Sequence, residues 1–81
     1  MKPADKALLK ELVGKRISKF RTSKGISVPD FEALTGIGDG NLKKYEGGER
    51  LPTIATSIVM AHVLGITHLE LLDVPFKWNP L

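Results

Sequence analysis

Glycine cuts this chain into short pieces. Gly25, Gly36, the Gly47-Gly48 pair and Gly65 each follow a run with apolar residues at helical spacing. Such punctuation falls at intervals typical of several connected helices rather than a set of hairpins. With 81 residues the product is one domain, able to bury only about 60% of its unfolded surface, so its core must be economical. There is no cysteine, which rules out disulfides, thiolate nucleophiles and cysteine zinc sites and suits a reducing compartment. An apolar fraction of 42% and a charged fraction of 26% are those of a folded globular domain. The first thirteen residues are interrupted by Lys6, Lys10 and Glu11, so neither a signal peptide nor a spanning helix is expected, and the expected location is the cytoplasm.

The pattern predicts an all-α fold of five helices. Helix 1 is expected over 6–24, with Asp5 as its cap and Leu9, Leu12 or Val13, Ile17 and Phe20 on its inner face. Ser27 can cap a second helix over 28–34, with Pro29 and Asp30 both suited to its first turn. Residues 35–38 form a tight connection in which Gly36 supplies the positive φ that stops one helix and starts another. Helix 3 is expected over 39–46. Pro52 and Thr53 open helix 4 over 54–64, with Ile58, Ala61 and Leu64 inward. Thr67 and Glu70 form a capping box for a short helix with Leu69, Leu71 and Leu72. The domain is expected to span 1–74, leaving 75–81 as a tail.

Two short helices joined by a glycine turn are what is needed to present one helix end to the major groove of a duplex. In the pair over 27–46, Phe31 and Ile37 bracket the turn and Leu42 and Tyr45 face the core. Asp39, Gly40, Asn41, Lys43 and Lys44 are left outward. The charge fits an anionic partner: +3 overall, with eight basic residues against two acidic ones in the first 24, so the remainder carries a net charge of −3. Lys15 and Lys19 of helix 1 are candidates for long-range attraction.

The ordered set of motifs resembles the lambda-repressor-like (Cro/C1, or Xre) helix-turn-helix family over residues 12–72. Gly14-Lys-Arg-Ile-Ser-Lys-Phe-Arg21 and Lys24-Gly-Ile-Ser27 are similar to its first helix and the turn that follows. Thr35-Gly-Ile37, Leu42, Tyr45-Glu-Gly-Gly-Glu-Arg50 and Pro52 look like its turn, recognition helix and exit loop. Ile58, Met60-Ala61, Leu64-Gly-Ile66 and Leu71-Leu72 continue the pattern. The resemblance implies a five-helix bundle, operator DNA as ligand and a homodimer. It also implies a structural ion pair between Arg21 and Glu46.

Carried over by position, the resemblance places Asp39, Gly40, Asn41 and Lys44 at base edges. Asn41 suits adenine and Lys44 suits guanine or a phosphate, whereas Asp39 reads better as a cap and Gly40 has no side chain to read with. Phosphate contacts are expected from Lys43, Arg50, Gly47 and the backbone at Ser27 and Val28. Three positions depart from the family pattern. Val28 stands where a phosphate-clamping glutamine is common, Glu32 where alanine is usual, and Gly38 where a hydroxyl residue caps helix 3. A longer side chain at Glu32 can splay toward Lys43 or alter the crossing of helices 2 and 3.

Phe76 and Trp78 need a surface to cover, either this domain's own core or a dimer interface. No metal site, cofactor, small-molecule ligand, membrane partner or catalysis is expected: His62 and His68 lack metal spacing, and the glycines at 36–40 follow a helix rather than a strand. The expected function is sequence-specific transcriptional regulation, as a phage, prophage or plasmid-type repressor on a roughly palindromic operator. The alternatives are a restriction-modification controller, an antitoxin autoregulator, or a protein-interaction module on the same fold.

Overall fold

The computed structural model of the chain describes residues 1–80; Leu81, the end of the expected tail, lies outside the described residues. Its helices are α1 (Pro3–Ser23), α2 (Val28–Thr35), α3 (Asn41–Glu46), α4 (Ile54–Leu64) and α5 (His68–Leu71). Pro3 sits in the first turn of α1, where a missing N–H is harmless. The helix therefore begins before residue 6, and Asp5 is not its cap. Instead, the Asp5 carboxylate lies inside the first turn and accepts the Lys2 backbone N–H at 3.1 Å.

The caps of the next elements lie where the hydroxyl residues predict them. Ser27 Oγ accepts from the Asp30 amide at 3.2 Å, and Thr53 Oγ1 accepts from that of Thr56 at 3.1 Å. Thr67 Oγ1 accepts from the Glu70 amide at 3.1 Å, but the Thr67 amide does not donate to the Glu70 carboxylate in return, so only half of the capping box forms. Thr35 belongs to α2, one residue past the expected end, because its hydroxyl donates back to the Phe31 carbonyl at 2.7 Å. The same oxygen accepts the Ile37 amide at 3.2 Å, and Gly36 takes a φ of 74°.

Helix α3 begins at Asn41 rather than at residue 39. Asp39 and Gly40 both adopt left-handed backbone, with φ of 58° and 73°, and Gly40 is the residue before the first helical turn. Asp39 therefore does not cap α3. Gly40 lies outside the helix, and its identity answers to the backbone turn, since a side chain in this conformation costs about 1–2 kcal/mol.

The core joins Val13 and Ile17 of α1, Phe31 of α2, Leu42 and Tyr45 of α3, Met60, Ala61 and Leu64 of α4, and Leu71 of α5. Each such large side chain contributes about 1.5–3 kcal/mol when buried. In α4 the inward stripe is Ser57, Met60, Ala61 and Leu64, an i, i+3, i+4, i+7 set; Ile58, expected inside, is 46% exposed. A serine reaches the interior because its Oγ donates to the Thr53 carbonyl at 2.9 Å, leaving no polar group unpaired.

Besides its core residues, two contacts along the middle of α1 hold it against the rest. Arg16 donates through Nε and Nη2 to the Glu70 carbonyl at 3.1 and 2.9 Å, binding the middle of α1 to α5, and its guanidinium lies 4.9 Å from the centre of the Phe20 ring. Gly14 is buried against the end of α3: a methyl group there would overlap the Tyr45 carbonyl oxygen and approach that of Glu46 to 2.8 Å. Glycine at this position sets how closely the two backbones pack.

Candidate nucleic-acid interface

A helix of six residues has too few internal hydrogen bonds to hold itself, so α3 depends on its surroundings. Leu42 and Tyr45 anchor one side in the core, and Gly14 lets α1 approach the far end. Arg21 locks that end. Its Nε and Nη2 donate to the two Glu46 carboxylate oxygens at 2.7 and 2.9 Å, while Nη1 donates to the Ile26 carbonyl at 2.7 Å. One guanidinium thus ties α1, the α1–α2 turn and the last residue of α3 together, with both side chains only 12% exposed. The hydrogen bond to Glu46 raises the Arg21 pKa above its ordinary value; burial opposes this and the Glu46 charge assists it. The guanidinium stays charged.

This anchoring fixes which side of α3 meets solvent. Lys43 and Lys44 are exposed, and Asn41 is half-buried at the start of the helix. Asp39 is exposed and Gly40 half-buried in the turn before it. The exit loop turns back along the helix because the Glu49 and Arg50 amides both donate to the Lys44 carbonyl, at 2.9 and 3.3 Å. Arg50 thereby returns to the start of α3, where its Nη1 donates to Asn41 Oδ1 at 2.8 Å.

Asn41, Lys43, Lys44 and Arg50 together form a surface with charge-bearing donors of the kind that suit phosphate and an amide of the kind that suits a base edge. Ser27 is exposed with its hydroxyl engaged by the Asp30 amide, and Val28 is half-buried against the core. Gly47 is exposed at the end of α3. A recess of about 450 Å³ between α1 and this loop is lined by Ala7, Glu11, Lys15, Glu46, Gly47 and Gly48. Its lysine is already paired with Glu11 at 2.9 Å, and its two carboxylates disfavour an anion.

A helix-turn-helix family model matches residues 17–72. The HTH-type transcriptional regulator y4dJ of Sinorhizobium fredii is 35% identical over 63 residues, 78% of this chain and 82% of its own length. The chain belongs to the helix-turn-helix family. It is thereby a member of a family of DNA-binding transcriptional regulators. This helix-turn-helix chain also aligns with an HTH_3 family regulator from Vibrio cholerae at a TM-score of 0.75 and 29% identity, covering 82% of the present chain but 37% of that one. The restriction-modification controller C.AhdI of Aeromonas hydrophila aligns at 0.73 and 27%, over 76% of this chain and 94% of its own. The transcription factor NHTF from Neisseria, at 0.76 and 22% identity, shares the fold.

Of the expected site residues, Asn41, Lys43, Lys44 and Arg50 converge on one helix and its exit loop, and Arg21 and Glu46 form the expected pair behind it. Glu32 forms no ion pair with Lys43 among the described residues. The bond between Arg50 and Asn41 was not legible from sequence, because the nine-residue separation carries no helical or strand period and depends on how the Gly47-Gly48 loop turns. The closeness at Gly14 had a signal: a glycine inside a long helix generally marks a packing requirement. Phe76 is half-buried and Trp78 is 52% exposed, and neither is among the side chains packed on the core.

Proposed function

We propose that this helix-turn-helix chain is a sequence-specific regulator that inserts the start of α3 into the major groove of an operator. One observation carries the reading: Leu42, Tyr45 and the Arg21–Glu46 pair fix α3 from behind, leaving Asn41, Lys43, Lys44 and Arg50 together on its outer side. Asn41 and Lys44 read base edges, with Asp39 and Gly40 at the approach. Lys43, Arg50 and the backbone at Gly47, Ser27 and Val28 meet phosphate. Two copies bind a roughly palindromic site about one DNA turn, ~34 Å, apart, with Phe76 and Trp78 contributing to the contact between copies. The outcome is repression of the phage or plasmid type, in the cytoplasm and without a catalytic step.

A second reading, a restriction-modification controller, is supported by the likeness to C.AhdI over 94% of that protein's length. Footprinting on genomic fragments separates the two by whether preferred sites lie beside restriction and methyltransferase genes. The operator reading itself is tested by Lys44→Ala and Asn41→Ala. Each is expected to weaken binding to a preferred duplex by about 1–3 kcal/mol while thermal unfolding is unchanged. Undiminished binding by both variants would remove α3 as the reading element.

A further inference from the structure

A free asparagine amide is an ambiguous reader. Its oxygen accepts and its nitrogen donates, and a half-turn about the last side-chain bond exchanges the two, so the same residue can meet base edges of opposite pattern. Asn41 is not free. Arginine has donors only, so the Asn41 atom facing Arg50 Nη1 at 2.8 Å must be the amide oxygen, and Nδ2 is held on the other side. Arg50 is itself aimed by the backbone, since its amide is bonded to the Lys44 carbonyl in the loop that turns back over α3.

We propose that Arg50 is a positioning residue that fixes the orientation of the Asn41 amide, so that the two side chains read one base pair as a unit. The inference rests on the operator reading above and deepens it. Arg50 then acts on sequence preference as well as on affinity. The Nδ2 donors meet a purine N7, and the oxygen keeps one lone pair for the adenine N6–H while the other holds Arg50. Without Arg50 the amide turns over at little cost, and bases other than the preferred one become acceptable at that position alone.

The test uses the full chain and duplexes selected by the wild-type protein from a randomised pool. Each base pair of the selected site is then changed in turn, for wild type, Arg50→Ala, Asn41→Ala and the double variant. Arg50→Ala is expected to lower discrimination at one base pair by about tenfold, the scale of a single side-chain contact to a base. It should lower discrimination there no further once Asn41 is already alanine. Arg50 is exposed, so unchanged thermal unfolding confirms that the variant folds. Because Arg50 also meets phosphate, a salt dependence shallower by about one is expected in either case; a loss spread evenly over all duplexes and additive with Asn41→Ala, with no base pair at which discrimination falls, is the signature of a phosphate contact alone and would overturn the assignment. Failure of the wild type to select any sequence would overturn the operator reading, and this inference with it.

Discussion

Arg21 and Glu46 stand 25 residues apart in the chain, yet their paired hydrogen bonds decide whether the end of α3 has a fixed place. Arg21→Ala and Glu46→Ala are each expected to destabilise the fold by about 3–5 kcal/mol, because each leaves the other charge largely buried without its counter-charge. Arg21→Lys should recover only part of this, since an ammonium cannot match both carboxylate oxygens and the Ile26 carbonyl together; urea unfolding measures all three. Gly14→Ala separates helix preference from packing. Alanine is the better helix residue by about 1 kcal/mol, but its methyl meets carbonyl oxygens of α3 that cannot move independently. We expect net destabilisation of about 1–3 kcal/mol, the range for overpacking. A stabilised Gly14→Ala variant would show that α1 and α3 do not pack as described.

At the scale of elements, α3 is defined as much by what precedes it as by its own residues. Gly40→Ala adds a side chain that touches nothing within 4 Å, so its cost is conformational only. Unfolding should show a loss of about 1–2 kcal/mol, and no loss would mean that residue 40 is not left-handed. The elements themselves were largely legible, because hydroxyl caps at Ser27, Thr53 and Thr67 and the stop at Gly36 act through local hydrogen bonds and backbone sterics. The start of α3 is not legible in the sequence, because Asp39 suits both a helical first turn and the left-handed turn it adopts, and local sequence does not separate them. Steps of three through Ile58, Ala61 and Leu64 drift around a 3.6-residue helix, whereas the buried stripe passes through Ser57, whose polarity is satisfied by the Thr53 carbonyl. Contacts such as Arg16 to the Glu70 carbonyl, 54 residues away, become visible only when the chain is folded.

For the whole molecule, α1 and α2 pack directly on the six-residue α3, with α4 behind α2 and α5 behind α1, and the family is one of DNA-binding regulators. The candidate reader is narrow: one amide fixed by one guanidinium, with two lysines beside it. In the proposed arrangement, affinity depends heavily on phosphate neutralisation and on two copies binding together, so sedimentation of the protein–duplex complex should give two chains per selected site. A single chain at full occupancy would remove the palindromic arrangement. The central claim, that the outer side of α3 binds duplex DNA with sequence preference, is tested most directly by titrating the full chain against selected and scrambled duplexes between about 50 and 200 mM salt. Affinity for both should fall steeply with salt, while the selected duplex stays preferred throughout and Lys44→Ala narrows that preference. Equal binding to both duplexes, or binding that ignores salt, would contradict it.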